Sequence, residues 1–197
     1  MKLTLSFYRR QDVVRVAKEL LGKSLCTGFD GQVTAGIITE TEAYAGTTDR
    51  ASHAFGGRRT SRTEVMYRAG GVAYVYLCYG VHSLFNIVTN EEDIPHAVLI
   101  RAIYPTQGMD RILQRRNISK KKPEKICPGP GTVSTALGIH YSQSGLSLVE
   151  NTIWVEDMGL TIPEKQILKS PRIGVDYAGK DALLPYRFRI PSGILFV

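Results

Sequence analysis

Tryptophan occurs once in this 197-residue chain, histidine four times and cysteine three times. Three thiols cannot all pair, and Cys26, Cys78 and Cys127 show none of the close spacings of a disulfide framework or a zinc site. A reducing compartment is the expectation, with Cys26 and Cys78, both in apolar runs, as buried thiols. His53, His82, His96 and His140 are too scattered to form a ligand set, so neither a metal nor a cofactor is expected. No apolar run approaches a membrane-spanning helix, and residues 1–10 lack the apolar region of a signal peptide. A cytoplasmic protein without membrane association is therefore expected. Acid is also in short supply. Against 25 Lys and Arg stand 18 Asp and Glu, a formal +7, and a positive field of this kind favours polyanionic partners.

The remainder of the composition, 43% hydrophobic and 22% charged, is that of a folded protein. Val13, Val14, Val16, Ala17, Leu20 and Leu21 form a helical stripe over 11–21, with Gly22 placed to close it. Two strands are predicted around the Phe29-Asp30-Gly31 turn, and further strands at 72–79, 83–89 and 97–103. Helices are predicted over 107–116 and from Gly129-Pro130-Gly131 to Leu137. In the tail, 153–155, 171–175 and 186–190 read as strand-like pieces. Residues 45–71 form a long irregular stretch, and such a stretch in a compact protein usually carries function. Strands and helices do not alternate regularly, which predicts an α+β fold. The expected form is one compact domain over 1–197: a mixed, mostly antiparallel curved sheet flanked by helices and a long basic loop.

The most informative stretch is Ile38-Thr39-Glu40-Thr41-Glu42-Ala43-Tyr44. Strand alternation puts Glu40, Glu42 and Tyr44 on one side, together with Ile38. Two carboxylates beside an aromatic ring are costly to bury unless they hold cations, water or hydrogen-bond donors. The pattern alone equally fits a solvated strand face with a tyrosine lying across it, and spacing does not choose between Glu40 and Glu42 as a base.

Several segments in order carry a resemblance. They are Glu40-Thr41-Glu42-Ala43-Tyr44 with Ala51-Ser52-His53, the run from Gly70-Gly71 through Tyr74, Tyr76 and Tyr79-Gly80, Phe85-Asn86-Ile87-Val88, and Ala97-Val98-Leu99-Ile100-Arg101-Ala102. Gly129-Pro130-Gly131 and Arg172-Ile173-Gly174-Val175-Asp176 extend the likeness over roughly 170 residues. The sequence resembles the alkyladenine (3-methyladenine) DNA glycosylase family, of the mammalian type also found in bacteria. The resemblance implies a monofunctional N-glycosylase that flips an alkylated purine from duplex DNA and hydrolyses its glycosidic bond, with no metal or cofactor. It implies Glu42 as the base that activates water, at the rim of an aromatic slot, and Arg101 as the residue that orients acid and water. It further implies Tyr44, His53 and Tyr76 as the rings around the flipped base, Asn86 as the residue that crowds normal guanine, and Leu99 as a further wall. Tyr79 becomes the wedge in the duplex, and Tyr74 is left as packing. Hypoxanthine and ethenoadenine are possible further substrates by the same likeness. Glu40 is expected to pin loop backbone or an arginine.

The loop at 50–68 holds Arg50, Arg58, Arg59, Arg62 and Arg68, with Thr60-Ser61 supplying hydroxyls. Arg58, Arg59, Thr60 and Arg62 are suited to the DNA backbone, where contacts position a duplex without reading it. A second basic tract spans 111–125, including Arg115, Arg116, Lys120, Lys121 and Lys122. Two departures from the family pattern stand out: Thr132-Val133 replaces a Lys-Leu pair, and Lys180-Asp181-Ala182 lacks an aromatic that Tyr186 is placed to replace. The competing class is a catalytically silent module for damaged DNA or structured RNA, in which Glu42 is dispensable. A monomer is expected, since a wedge entering a duplex needs no symmetry.

Overall fold

The computed structural model describes residues 1–119 and 122–191. The chain opens with a single turn, α1 (Leu5–Tyr8), and then α2 (Val13–Glu19), whose first turn is capped by the Asp12 carboxylate accepting from the Arg15 amide. Hairpin β1 (Ser24–Phe29) and β2 (Gln32–Tyr44) follows. Residues 45–72 contain three short 3-10 turns and lead into β3 (Ala73–Cys78), β4 (His82–Thr89) and β5 (His96–Gln107). Helices α3 (Met109–Arg116) and α4 (Pro130–Leu137) come next, the latter closed by left-handed Gly138. Short strands β6 (Ile153–Glu156), β7 (Leu168–Ser170) and β8 (Arg187–Arg189) complete the sheet.

The fold is α+β, built on one eight-stranded sheet in the order β3-β4-β5-β2-β1-β6. Every pairing between these strands is antiparallel, where a mixed sheet was expected. Hairpins or short returns link β1 to β2, β3 to β4 and β4 to β5, which makes those pairs antiparallel. Strand β2 is the spine. One edge pairs with β5 along its length, while the other is shared by β1 at Gln32–Ile37 and by β8 at Glu40–Glu42.

The apolar core fills one face of the sheet. Val16, Ala17 and Leu20 of α2, Ile112 of α3 and Val133, Ala136 and Leu137 of α4 pack there against Ala43, Val75, Phe85, Ile87, Val98 and Ile100. Thr41 adds a polar tie to α2, its hydroxyl donating to the Ala17 carbonyl at 2.8 Å. Ile38, Thr41 and Ala43 all meet this core side, which strict alternation forbids. The cause is a register irregularity at Ile38–Thr41 against β5, where β2 carries one extra residue before Glu40 and β5 one just after it, so the alternation is reset. Ile38 is thus separated from Glu40, Glu42 and Tyr44, which lie on the opposite face. Without the irregularity, either Ile38 or both acids would be buried on the wrong side.

The expected strand at 171–175 is an irregular segment; pairing occurs just before it, in β7. The physical reason is that its backbone and its arginine serve the acid-bearing face, as described below.

Gly36 occupies a second register shift between β2 and β5. A Cβ there lies 2.8 Å from the Ile103 Cδ1 and 2.9 Å from the Tyr104 carbonyl oxygen. Gly36→Ala is expected to destabilise the protein by about 1–3 kcal/mol through overpacking. Urea unfolding checks this, and a change below about 0.5 kcal/mol contradicts the close approach.

Candidate active site

The strand registers line up one row of side chains across five strands on the face away from the core. Tyr74 opposes Asn86, Asn86 opposes Leu99, Leu99 opposes Glu42, and Glu42 opposes Arg187. Tyr76 and Leu84 pair one step along. A cavity of about 470 Å³ opens above this row, walled by Tyr44, His53, Tyr76, Asn86, Leu99 and Arg101 among others. Six residues singled out from the sequence thus share one hollow.

Glu42 does not stand at the rim of that hollow. Its residue is 0% exposed, and the cavity wall in front of it is made by Tyr44, Arg101 and Ile173. Each of these three holds it. The Tyr44 hydroxyl donates to Oε2 at 2.8 Å, the Ile173 amide donates to Oε1 at 2.9 Å, and Arg101 Nη1 lies 3.3 Å from Oε1. Burial, then the Glu42 charge, pushes the Tyr44 phenol well up, so its proton stays in place to be donated. A carboxylate offers about four acceptor positions; these three donors leave room for one more.

Glu40 is the structural acid. Its Oε1 accepts from Arg101 Nε at 3.0 Å and from Arg187 Nε at 2.6 Å. Arg101 therefore bridges both acids, with Nε on Glu40 and Nη1 towards Glu42.

The rings form a connected set. His53 meets Tyr76 edge-on, centroids 4.7 Å apart, and Tyr74 lies 5.4 Å from Tyr76. His53 Nδ1 is 2.8 Å from the Tyr74 hydroxyl, and its Nε2 is 3.4 Å from Arg62 Nη2. Arginine only donates, so Nε2 is the acceptor and the ring proton sits on Nδ1. Burial first, then the charges of Arg62 and Arg58, lower the His53 pKa to about 4. The imidazole is neutral at physiological pH. Tyr74 is buried and lines the cavity, so it positions His53 in addition to packing. Asn86 is buried too, its amide donating to the Tyr74 and Leu84 carbonyls at 3.2 and 3.3 Å.

A family model described as methylpurine-DNA glycosylase matches residues 6–193. The chain belongs to the methylpurine-DNA glycosylase family. It is a DNA glycosylase, a hydrolase of N-glycosyl bonds. It is similar to a protein of Chlamydia abortus, 48% identical over 185 residues that cover 93% of this chain and 95% of the relative. A Chlamydia felis protein is 46% identical over 183 residues (93% of each), and one from Bacillus thuringiensis is 44% identical over 194 residues (93% and 92%). All three carry the name "Putative 3-methyladenine DNA glycosylase".

The other residues singled out in this glycosylase fall around the same mouth. Tyr79 is 94% exposed at the β3–β4 turn, in the left-handed region with φ +51°, and also borders the cavity. Arg58, Thr60 and Arg62 line an adjoining hollow of about 350 Å³, together with Arg50. Arg59, of the same basic set, is paired with Glu64 at 2.7 Å and Asp93 at 2.7 Å, which offset its charge locally. Asp93 lies beyond the loop in sequence, which hid the pairing. Cys26 is buried as expected, Cys78 is half-buried and borders the cavity, and Cys127 is buried as well, with its pKa raised by burial to about 12. In the second basic tract, Arg115 donates to Thr34 Oγ1 and the Ala136 carbonyl, and Arg116 to the Ile126 carbonyl, so both serve the fold. Lys120 and Lys121 lie outside the described residues. Thr132 caps its own helix, exchanging hydrogen bonds with Gly129. Among the described residues, no three His, Cys, Asp or Glu side chains form a metal-binding group, and no helix is long and apolar enough to cross a membrane.

Arg172 is the residue that sequence reasoning left without a role. It is 5% exposed and clamps Asp49 with two hydrogen bonds of 2.5 and 2.8 Å. It also donates to the Ala43 carbonyl of β2 and the Asp181 carbonyl, and stacks on Tyr44 and Tyr186 at 4.8 and 5.4 Å. Asp49 in turn receives the Ala45 and Ala51 amides. One ion pair therefore fixes Tyr44 and the start of the irregular loop, and places Ile173 against Glu42.

Arg172→Ala leaves Asp49 buried without its counter-ion and is expected to cost about 3–5 kcal/mol. The double variant Arg172→Met/Asp49→Leu, which strands no charge, should lose less; urea titration of both separates the ion pair from simple packing. For His53 the sign of the pH effect is fixed by its lowered pKa. The unfolded chain takes up a proton near 6.5 and the folded chain only near 4, so unfolding binds protons in between. Stability therefore falls as pH drops from 6.5 towards 4. His53→Asn should narrow the gap between urea midpoints at those two limits; an unchanged gap contradicts a neutral buried ring.

Proposed function

We propose that this glycosylase removes alkylated purines from duplex DNA, 3-methyladenine foremost, by flipping the nucleotide into the aromatic cavity. Water activated by Glu42 then hydrolyses the N-glycosidic bond and leaves an intact abasic site. The observation that carries this reading is the Glu42 carboxylate, withdrawn from bulk solvent directly behind the aromatic wall, with three donors placed and one acceptor position left.

The chemistry follows from the charges. An alkylated purine is cationic, and aromatic faces attract cations by their quadrupole. Stacking recognises a purine without demanding one hydrogen-bonding edge, which suits a family of lesions. As the bond to the sugar lengthens, positive charge moves from the base to an oxocarbenium-like sugar. The base leaves neutral, a water oxygen bonds to the anomeric carbon, and Glu42 accepts the water's proton. Arg101, fixed by Glu40, holds the carboxylate in orientation. Asn86, anchored to two carbonyls, supplies a rigid obstacle against the exocyclic amine of guanine. Tyr79 fills the gap in the duplex, offsetting part of the few kcal/mol lost on unstacking. No lysine lines the cavity among the described residues, which fits hydrolysis without a Schiff base. The wedge and the cavity lie on one chain, so a monomer suffices.

Glu42→Gln keeps the shape and loses the base. Single-turnover excision from a duplex bearing one alkylated adenine, read after alkaline cleavage of the abasic product, should slow by about 100- to 10,000-fold. Affinity for the same duplex should change by less than about threefold, equivalent to under ~0.7 kcal/mol. Undiminished excision in the variant removes Glu42 from the reaction and leaves a binding role only.

A further inference from the structure

Arg62 belongs to the basic set expected at the DNA backbone, yet its guanidinium is turned into the base cavity. Its Cζ lies over the Tyr76 ring, 4.8 Å from the centroid, and its Nη2 reaches His53 Nε2 at 3.4 Å. A planar cation thus sits on the same aromatic group that the proposed substrate would use. Unlike Arg59, which two carboxylates hold, Arg62 has no ion pair among the described residues. It belongs to the walls of both hollows: the base cavity, and the adjoining one whose other cations are Arg50 and Arg58. The residue as a whole is exposed, on the loop between the turns Phe55–Gly57 and Glu64–Tyr67, so a change of rotamer moves it from one hollow to the other without disturbing the core.

We propose that Arg62 is a resident cation that closes the base cavity in the free enzyme and is exchanged for the damaged purine when a DNA phosphate draws it into the adjoining basic hollow. The inference rests on the base-flipping reading above and adds a specificity to it. Two cations cannot share one ring face without repulsion, so a cationic purine enters only as Arg62 leaves. A nucleotide in a duplex brings the phosphate that receives Arg62; a free nucleoside does not. The gate therefore selects bases attached to DNA over loose methylated nucleosides, and the returning guanidinium helps to expel the product.

The two sides of the exchange predict effects of opposite sign in one variant. The probe for the cavity is 1-methyladenosine, a purine nucleoside that is cationic at neutral pH and lacks the 2-amino group that Asn86 would obstruct, titrated by NMR against wild type, Arg62→Ala and Arg62→Lys. Loss of an exposed cation–π contact predicts that Arg62→Ala binds it about two- to fivefold more tightly, with Arg62→Lys between. On a duplex with one alkylated adenine, the same Arg62→Ala variant should excise less efficiently at low substrate, and the salt slope of duplex binding should shrink by about one. Unchanged, weaker or undetectable nucleoside binding by Arg62→Ala overturns the gate, because Arg62 is then either irrelevant to the cavity or part of its binding wall. Tighter nucleoside binding with no loss on duplex also overturns it, since no phosphate then competes for Arg62. Failure of the wild type to excise alkylated purines strikes the proposed function instead; the sign of the nucleoside titration still judges the gate.

Discussion

A carboxylate removed from water must be supplied with donors by the protein, and Glu42 sets that demand at the centre of this fold. Desolvating one ion costs several kcal/mol even after relaxation, and the cost falls only where geometry is well matched. Of the three groups that meet it, Tyr44 lies two residues on along the same strand, Arg101 on the neighbouring strand, and the Ile173 amide 131 residues away. Each then needs its own support. Arg101 is held by Glu40, Glu40 is shared with Arg187 of β8, and Ile173 follows Arg172, which is locked to Asp49. The short terminal strands and the irregular segment between them thus complete the site, while Phe188 of β8, with Ile167 and Ile190 beside these strands, also joins the apolar core.

This division explains why the sheet has two different faces. The core side is filled by α2, α3 and α4 and needs only apolar bulk. The opposite side carries the ionised groups, which favour fixed partners over close packing. The irregularity at Ile38–Thr41 is where β2 changes from one regime to the other, and it allows a single strand to bury Ile38 in the core and Glu42 in the site. Gly36 lies just upstream, at the other register shift, where an added Cβ would press on Ile103 and the Tyr104 carbonyl.

Much of this was legible in the amino-acid sequence because local pattern encodes it. The α2 stripe, the β1–β2 hairpin and the Gly-Pro-Gly start of α4 are marked by periodicity and turn chemistry. The cavity residues were found through motif likeness, and the registers then brought Tyr44, His53, Tyr76, Asn86, Leu99 and Arg101 together. What stayed hidden depends on partners far away in sequence. Alternation could not reveal the extra residue near Glu40, which only pairing with β5 defines. Arg172 resembled part of a strand until Asp49, 123 positions earlier, gave it a counter-ion. Arg59 seemed a free cation because Asp93 lies 34 residues on, and Tyr74 seemed mere packing because its hydroxyl is engaged by His53 across the loop.

The charge arrangement also bears on how a site crowded with arginines would accept the cationic purine proposed as its substrate. Arg187 faces Glu40, Arg172 faces Asp49, and Arg101 lies between Glu40 and Glu42, so the floor of the cavity is close to neutral. Within that balance Arg101 is not evenly placed. Its Nε hydrogen-bonds to Glu40 at 3.0 Å, whereas its contact with Glu42 is the longer 3.3 Å approach through Nη1. Glu40 thereby takes up part of the arginine's charge that would otherwise quench Glu42. Replacing Glu40 by a neutral group would free the guanidinium to move fully onto Glu42 and occupy the acceptor position that a water would need. On the proposed chemistry, the first acid of the Glu-Thr-Glu motif keeps the second one open to water by competing for their common arginine.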